Sequence, residues 1–234
     1  MCALRFANIT DNVRHPCYHG AGDVMRKWNG WLSGCVLAVV LIAAGDFFGI
    51  WERTYTSEQF GWTDYVSAQD VNANGIDDVH DFVIGARAYA QSRPRYESRY
   101  YAGGYPDDDH GVCTDVIWHA FAQAGLSLKD MVDADVARHP EIYGIEQPDP
   151  NIDFRRVDTL EVFFERHAQS LTTRPGDPQE WQPGDIVIYA QHIGICSDRR
   201  NAQGYPLLIH LDPLGARERD ELWNSEIHAH FRWY

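Results

Sequence analysis

The order of apolar patterns along the chain constrains its fold more than any other feature. After Cys113, apolar residues recur at the i, i+3, i+4 spacing of a helix with one buried face, and Gly125 ends the pattern. Residues 127–139 repeat that spacing and stop before Pro140. The β-rich runs of the C-terminal part are residues 186–189, 192–196 and 206–210. Helices followed by strands predict an α+β fold with an antiparallel sheet.

Cys113 is the candidate nucleophile. It stands in Gly-Val-Cys-Thr-Asp at residues 111–115, where the predicted helix starts. Unpaired backbone N–H groups and the positive end of the helix dipole favour a thiolate there, and the thiolate is the reactive form. The acidic run at residues 107–109 opposes this, because negative charge raises the pKa of a thiol. A histidine therefore has to supply the counter-charge, and with it we expect a lowered pKa for Cys113.

His192 and His210 are the candidate base and its orienting residue. Side chains alternate along a strand, so His192 shares a face with Gly194, which we expect to leave open space beside the imidazole. A hairpin across the polar turn at residues 198–204 would bring His210 close to His192. Nucleophile, base and orienting group are the parts that covalent catalysis requires. A structural interpretation stays open, in which Cys113 is a small core residue and the histidines are satisfied strand residues.

Residues 70–81 have the ligand spacing of an EF-hand calcium loop, with Gly75 at the position of the sharp turn. The expected ligands are Asp70, Asn72, Asn74, Ile76, Asp78 and Asp81. Asp81 replaces the usual Glu with a shorter side chain, and the sequence contains no second loop. The alternative is an Asx-rich turn that caps a helix and needs no metal. We expect a structural Ca²⁺ ion and no organic cofactor.

Composition excludes several classes of protein. A formal net charge of −14 disfavours nucleic acid as a partner, because phosphates need patches of Lys and Arg. The chain contains no Cys-x-x-Cys or His-Glu-x-x-His pattern, which argues against a zinc site. Outside the N-terminal region, Cys113 and Cys196 are the remaining cysteines, so we expect no disulfide framework.

Residues 1–51 are expected to form a leader, and residues 52–234 the folded domain. Arg26 and Lys27 precede an apolar stretch at residues 31–45, which suits the core of a signal peptide or a modest signal anchor. The positive-inside rule then predicts export of everything after Trp51 to the periplasmic or cell-surface side, either secreted or anchored in the inner membrane. A buried core helix is the alternative, and Met25 is an alternative start.

Five short motifs together carry a resemblance. They are Tyr-Tyr-Ala-Gly-Gly-Tyr-Pro at 100–106, Gly-Val-Cys-Thr-Asp-Val at 111–116, Asp-Pro-Asn-Ile-Asp at 149–153, Trp-Gln-Pro-Gly-Asp at 181–185 and His-Ile-Gly-Ile at 192–195. Residues 60–234 resemble the YijF-like group of bacterial domains of unknown function, which is similar to NlpC-type, papain-like cysteine peptidases. The resemblance implies a papain-like fold with Cys113 as nucleophile, His192 as base and His210 as third polar residue. Leu211 departs from the group, which has Asn after that histidine.

These features predict an exported cysteine hydrolase of amide bonds. The resemblance implies peptidoglycan stem peptides as substrate, and Tyr105, Asp109 and Asp115 are expected to bind it. One alternative is an acyl or peptidyl transferase that uses the same thioester chemistry. Another is a non-catalytic calcium-binding module of the cell envelope.

Overall fold

Four α-helices precede most of the sheet in residues 53–234, the part of the chain that the computed structural model describes. They are α1 (Asp78–Gln91), α2 (Cys113–Gln123), α3 (Leu128–Arg138) and α4 (Val157–His167). Gly125 ends the α2 turn with a φ of +79°, which L side chains adopt rarely. Ser127 caps α3, where its Oγ accepts the N–H of Asp130. The predicted helices after Cys113 and Ser127 are confirmed.

Eight strands form two sheets in this region. The parallel pair is β1 (Arg95–Tyr96) and β2 (His110–Gly111). The remaining strands are β3 (Gln169–Ser170), β4 (Ile186–Tyr189), β5 (His192–Arg200), β6 (Pro206–Asp212), β7 (Gly215–Arg219) and β8 (Ile227–Arg232). They pair antiparallel in the order β3-β8-β4-β5-β6-β7. The α+β class and the antiparallel sheet are confirmed.

The main core lies between the helices and one face of the larger sheet. Phe82 of α1 stacks on Phe121 of α2 at 4.3 Å between ring centroids, and both rings are fully buried. Burying one such side chain contributes about 1.5–3 kcal/mol to folding. A smaller cluster contains Trp181, Cys196 and Leu222. Packing of the helices on the sheet places the start of α2 against β5, the strand that carries His192.

Both cysteines of the described residues, Cys113 and Cys196, are free and buried. None of the helices among residues 53–234 is long and apolar enough to cross a membrane. The leader expected at residues 1–51 lies outside the described part of the chain.

Candidate active site

Cys113 is the first residue of α2. Its Sγ accepts hydrogen bonds from the backbone N–H groups of Ile193 on β5 and of Thr114 on α2. The residue is 5% exposed, and this burial raises the pKa of the thiol to about 11 in spite of those contacts. The lowered pKa expected from the helix start is therefore wrong, because desolvation of the thiolate is the largest effect. Cys113 carries its proton at neutral pH.

His192 and His210 contact each other across β5 and β6. His192 Nε2 lies 2.8 Å from His210 Nδ1, which confirms the predicted proximity. Burial lowers the pKa of His192 to about 4 and also lowers that of His210. Both imidazoles are therefore neutral at pH 7. This contact involves Nε2 of His192 and leaves its Nδ1 outside the histidine pair.

Gly194 makes room for Leu208 and not for the imidazole. A Cβ at Gly194 would lie 2.9 Å from Leu208 Cδ1 and 3.0 Å from the Ile209 carbonyl oxygen. The open space expected beside His192 is therefore wrong. The glycine instead allows the side chain and backbone of β6 to approach β5 closely.

Asp115 holds the start of α2 in place. Its Oδ2 accepts the backbone N–H of Val112 at 2.7 Å, and its two oxygens each receive a nitrogen of Arg155 at 2.8 Å. Thr114 Oγ1 donates to the Arg155 carbonyl at 3.0 Å, which ties the same helical turn to Arg155 a second time. Asp115 has no exposed surface. The expectation that Asp115 binds substrate is therefore wrong, because a fully buried carboxylate cannot reach a bound molecule.

Glu221 and Arg217 extend the histidine pair in a way that the sequence analysis missed. His210 Nε2 lies 2.7 Å from Glu221 Oε2, and Arg217 Nε donates to the same oxygen at 2.9 Å. Both histidines, Arg217 and Glu221 line one cavity of about 230 Å³. Glu221 lies just after β7, at the end of a run of charged residues at 217–221 that matches no known motif. That run of charges was the only signal in the sequence that could have drawn attention to it.

Tyr105 and Asp109 lie at the surface. Tyr105 packs edge-on against Trp118 and lines a groove of which Cys113, His192 and His210 are not part. The Asp109 side chain is 59% exposed and pairs with Arg95 at 2.8 Å. With Asp108 and His110 it also forms a group whose ligand atoms could hold a metal ion. Substrate binding by Tyr105 and Asp109 stays a prediction.

Tyr96 is a neighbour of Cys113 that the sequence analysis did not select. Burial, with smaller contributions from Cys113 and from Asp212 near the histidine pair, raises the pKa of its phenol. The side chain remains partly open to solvent. Tyr96 on β1 therefore lies near Cys113, and no feature of its sequence surroundings distinguishes it from the other tyrosines of its segment.

The turn at residues 70–76 is held together by hydrogen bonds to the side chains of Asp70 and Asn74. Asp70 Oδ1 and Oδ2 accept the backbone N–H groups of Asn74 and Gly75 at 3.1 and 2.9 Å. Gly75 has a φ of +87°, as the sharp turn at that position demands. Asn74 Oδ1 accepts the N–H of Ile76 at 2.7 Å. The loop is therefore folded, with Asn74 oriented by the backbone.

The carboxylates beyond that turn fit a cation only in part. Asp81 accepts hydrogen bonds from the side-chain amides of Asn72 and Asn74 at 2.7 and 2.9 Å, so its oxygens have partners without a metal. Asp78 differs, because its Oδ2 is buried without a hydrogen-bond partner among the described residues. Burial raises the pKa of Asp78, and Asp81 adds to the rise. A bound cation would stabilise the ionised carboxylate of Asp78. Binding would, however, require the side-chain amides of Asn72 and Asn74 to turn their oxygens toward the ion.

Comparisons with known proteins identify the family to which the chain belongs. The family model described as "Domain of unknown function (DUF1287)" matches residues 83–233, which include Cys113 and both histidines. A protein of Escherichia coli (strain K12) described as "Uncharacterized protein YijF" is 36% identical over 150 residues, covering 60% of this chain and 73% of that protein. No solved structure matches the chain. The resemblance to the YijF-like group is confirmed, and the chain belongs to the family Domain of unknown function (DUF1287).

Proposed function

We propose that this protein is a cysteine hydrolase that cleaves amide bonds outside the cytoplasm, with peptidoglycan stem peptides as its substrate class. The observation that carries the proposal is the 2.8 Å contact between His192 Nε2 and His210 Nδ1, on the strand whose Ile193 N–H reaches the Cys113 thiol. We propose that β5 brings the histidine pair to the thiol at the start of α2, so that nucleophile, base and orienting residue act together. The substrate class and the export rest on the NlpC-type resemblance and on the expected leader.

The proposed mechanism begins from a neutral pair. A thiol with a pKa of about 11 and an imidazole with a pKa of about 4 do not exchange a proton at rest, so transfer accompanies attack. Sγ of Cys113 bonds to the substrate carbonyl carbon as Nδ1 of His192 takes the thiol proton. His192 then protonates the leaving amine, and the carbon–nitrogen bond breaks to give a thioester. Water hydrolyses the thioester and releases a carboxylic acid and the free thiol.

Backbone amides supply the electrostatic part of this mechanism. The N–H groups of Cys113 and Thr114 lie against Sγ at the start of α2. We propose that they stabilise the carbonyl oxygen of the substrate, on which negative charge develops during attack. We further propose that the fold is papain-like and of the NlpC type. A cysteine at the start of a helix that packs on an antiparallel sheet bearing the histidines supports this proposal.

The test is digestion of purified cell wall, with the products read by mass spectrometry. The wild type should release fragments with a new free amine and carboxylate at a stem-peptide amide. Cys113→Ala and His192→Ala should each remove nearly all of that release, whereas Cys196→Ala, which removes a thiol away from the site, should retain it. New reducing sugar ends that depend on Cys113 would overturn the proposal, since glycan cleavage needs paired carboxylates. Turnover only with an added amine would indicate a transferase.

A calcium-binding role for residues 70–81 is a second candidate function. The observation in its favour is the unpartnered, fully buried Oδ2 of Asp78 behind a folded turn in which Asp70 accepts two backbone N–H groups. Asp70, Asn72, Asn74, Asp78 and Asp81 would hold the ion with the carbonyl of Ile76. The ion would be structural, and the role is compatible with hydrolysis or with a purely binding module of the envelope.

A further inference from the structure

We propose that Glu221 is a positioning residue that decides which ring nitrogen of His192 serves as the base. The inference rests on the proposed function of Cys113 and His192. It adds Glu221 to the proposed site as a fourth residue after Cys113, His192 and His210. Glu221 touches neither the thiol nor His192. It acts through His210, whose Nε2 lies 2.7 Å from Glu221 Oε2.

The carboxylate of Glu221 is held in one place by its surroundings. Its backbone N–H donates to the Arg219 carbonyl at 2.9 Å at the end of β7. The next residue, Leu222, is fully buried, and its carbonyl accepts the Tyr189 hydroxyl at 2.9 Å. Arg217 Nε donates to the oxygen that faces His210. Backbone and side chain of Glu221 are thus both fixed against the imidazole.

The chemistry of a carboxylate then fixes two tautomers in succession. An ionised carboxylate only accepts hydrogen bonds, so Nε2 of neutral His210 has to carry the proton. Nδ1 of His210 is left as an acceptor, and His192 must donate to it from Nε2. Nδ1 of His192 consequently keeps its lone pair, which the proposed mechanism needs for the thiol proton.

The opposite pair of tautomers is possible without Glu221. His210 would then donate from Nδ1 to His192 Nε2, and His192 would carry its proton on Nδ1, where it could not act as a base. With Glu221 present, that arrangement would place the Nε2 lone pair of His210 against the carboxylate. Asp212 does not make the same selection, because among the described residues its carboxylate accepts from Arg217 and the Leu214 N–H and has no hydrogen bond to either imidazole.

The experiment measures the protonated ring nitrogens of His192 and His210 by ¹⁵N NMR at pH 7 in the full chain. In the wild type, both histidines should carry the proton on Nε2. Glu221→Gln should keep that pattern. His210 and Arg217 both donate to the position of Oε2, so the glutamine amide should turn its oxygen, and not its nitrogen, toward them. Glu221→Leu should give a mixture in which part of His192 is protonated on Nδ1. Glu226→Gln, at an exposed position of the same loop, is the control.

Cell-wall digestion gives the second readout. Glu221→Leu should lower kcat in proportion to the fraction of His192 that becomes protonated on Nδ1, with little change in KM, and Glu221→Gln should restore most of it. A wild-type His192 protonated on Nδ1 would overturn the inference without any variant, so it stays testable if Glu221→Leu does not fold. An unchanged tautomer in folded Glu221→Leu would also overturn it. If the wild type cleaves nothing, the proposed function fails, and the NMR result still decides the role of Glu221.

Discussion

Asp115 and Arg155 form a two-point ion pair whose side chains are 0% and 1% exposed, 40 residues apart in the chain. The pair connects the first turn of α2, where Cys113 lies, to the loop that precedes α4. Burial removes water from both charges, so each depends on the other for solvation. The position of the candidate nucleophile is therefore set by a contact between distant segments.

Arg155→Met should destabilise the protein by about 3–5 kcal/mol, because it leaves the Asp115 carboxylate buried without a cation. The matched control is Arg95→Met, which breaks an ion pair to Asp109 whose side chains are 71% and 59% exposed. That control should cost less than about 1 kcal/mol. Urea unfolding monitored by fluorescence measures both, and equal losses would contradict the difference in burial.

Alkylation of Cys113 should be slow at neutral pH and should accelerate as the pH rises toward about 11, where burial places the pKa of the thiol. Cys196 is fully buried, and burial raises the pKa of its thiol well above the usual range, so it should stay unlabelled. Peptide mass spectrometry after iodoacetamide treatment measures each site separately, and urea-unfolded protein should react at both. A reaction that reaches its plateau below pH 7 would show that the thiolate exists at rest.

Stability should fall as the pH is lowered from about 6.5 to about 4, because burial lowers the pKa values of His119 and His192 to about 4. In that window the unfolded chain binds protons that the folded protein does not, so the free energy of unfolding decreases with acidity. His119→Gln and His192→Gln should each flatten this dependence. The measurement is the urea midpoint at several pH values, and an unchanged slope in both variants would refute the assignment.

Gly111→Ala, at the start of the cysteine motif, should lower the free energy of unfolding of the protein by about 1–3 kcal/mol, the usual cost of overpacking. A Cβ there would overlap the Tyr89 hydroxyl, which is buried and has no hydrogen-bond partner among the described residues. Tyr89→Phe removes that oxygen, so the double variant should recover part of the loss. Melting temperatures of the two single variants and the double variant test this, and strictly additive losses would count against the steric explanation.

Millimolar Ca²⁺ should raise the melting temperature if residues 70–81 bind it, because a ligand that binds only the folded state stabilises that state. Asp70→Ala combined with Asp81→Ala should abolish the rise. Asp108→Ala combined with Asp109→Ala removes the other group of candidate ligands and should leave the rise intact. A melting curve that is the same with Ca²⁺ and with chelator would favour the metal-free turn.

The sequence by itself determined the helices after Cys113 and Ser127, the strands that carry the histidines, and the meeting of the two histidines. The helix after Cys113 and the strands β4, β5 and β6 follow from apolar patterns, which depend on the nearest few residues of the chain. His192 and His210 meet because adjacent strands joined by a short polar turn form a hairpin, a local event. The family also followed from local motifs, because each of them is a short run of residues.

Only the tertiary structure decided the electrostatics of the site and the roles of Asp115 and Glu221. Spacing does not reveal that Arg155 would neutralise Asp115, or that Glu221 would contact His210. The helix start alone predicted a lowered pKa for Cys113, and burial in the assembled core reversed that direction. The physical reason is common to all three cases. Desolvation and charge pairing depend on which distant segments pack together, and a carboxylate or a thiol has the same sequence neighbours whether it becomes buried or stays in water.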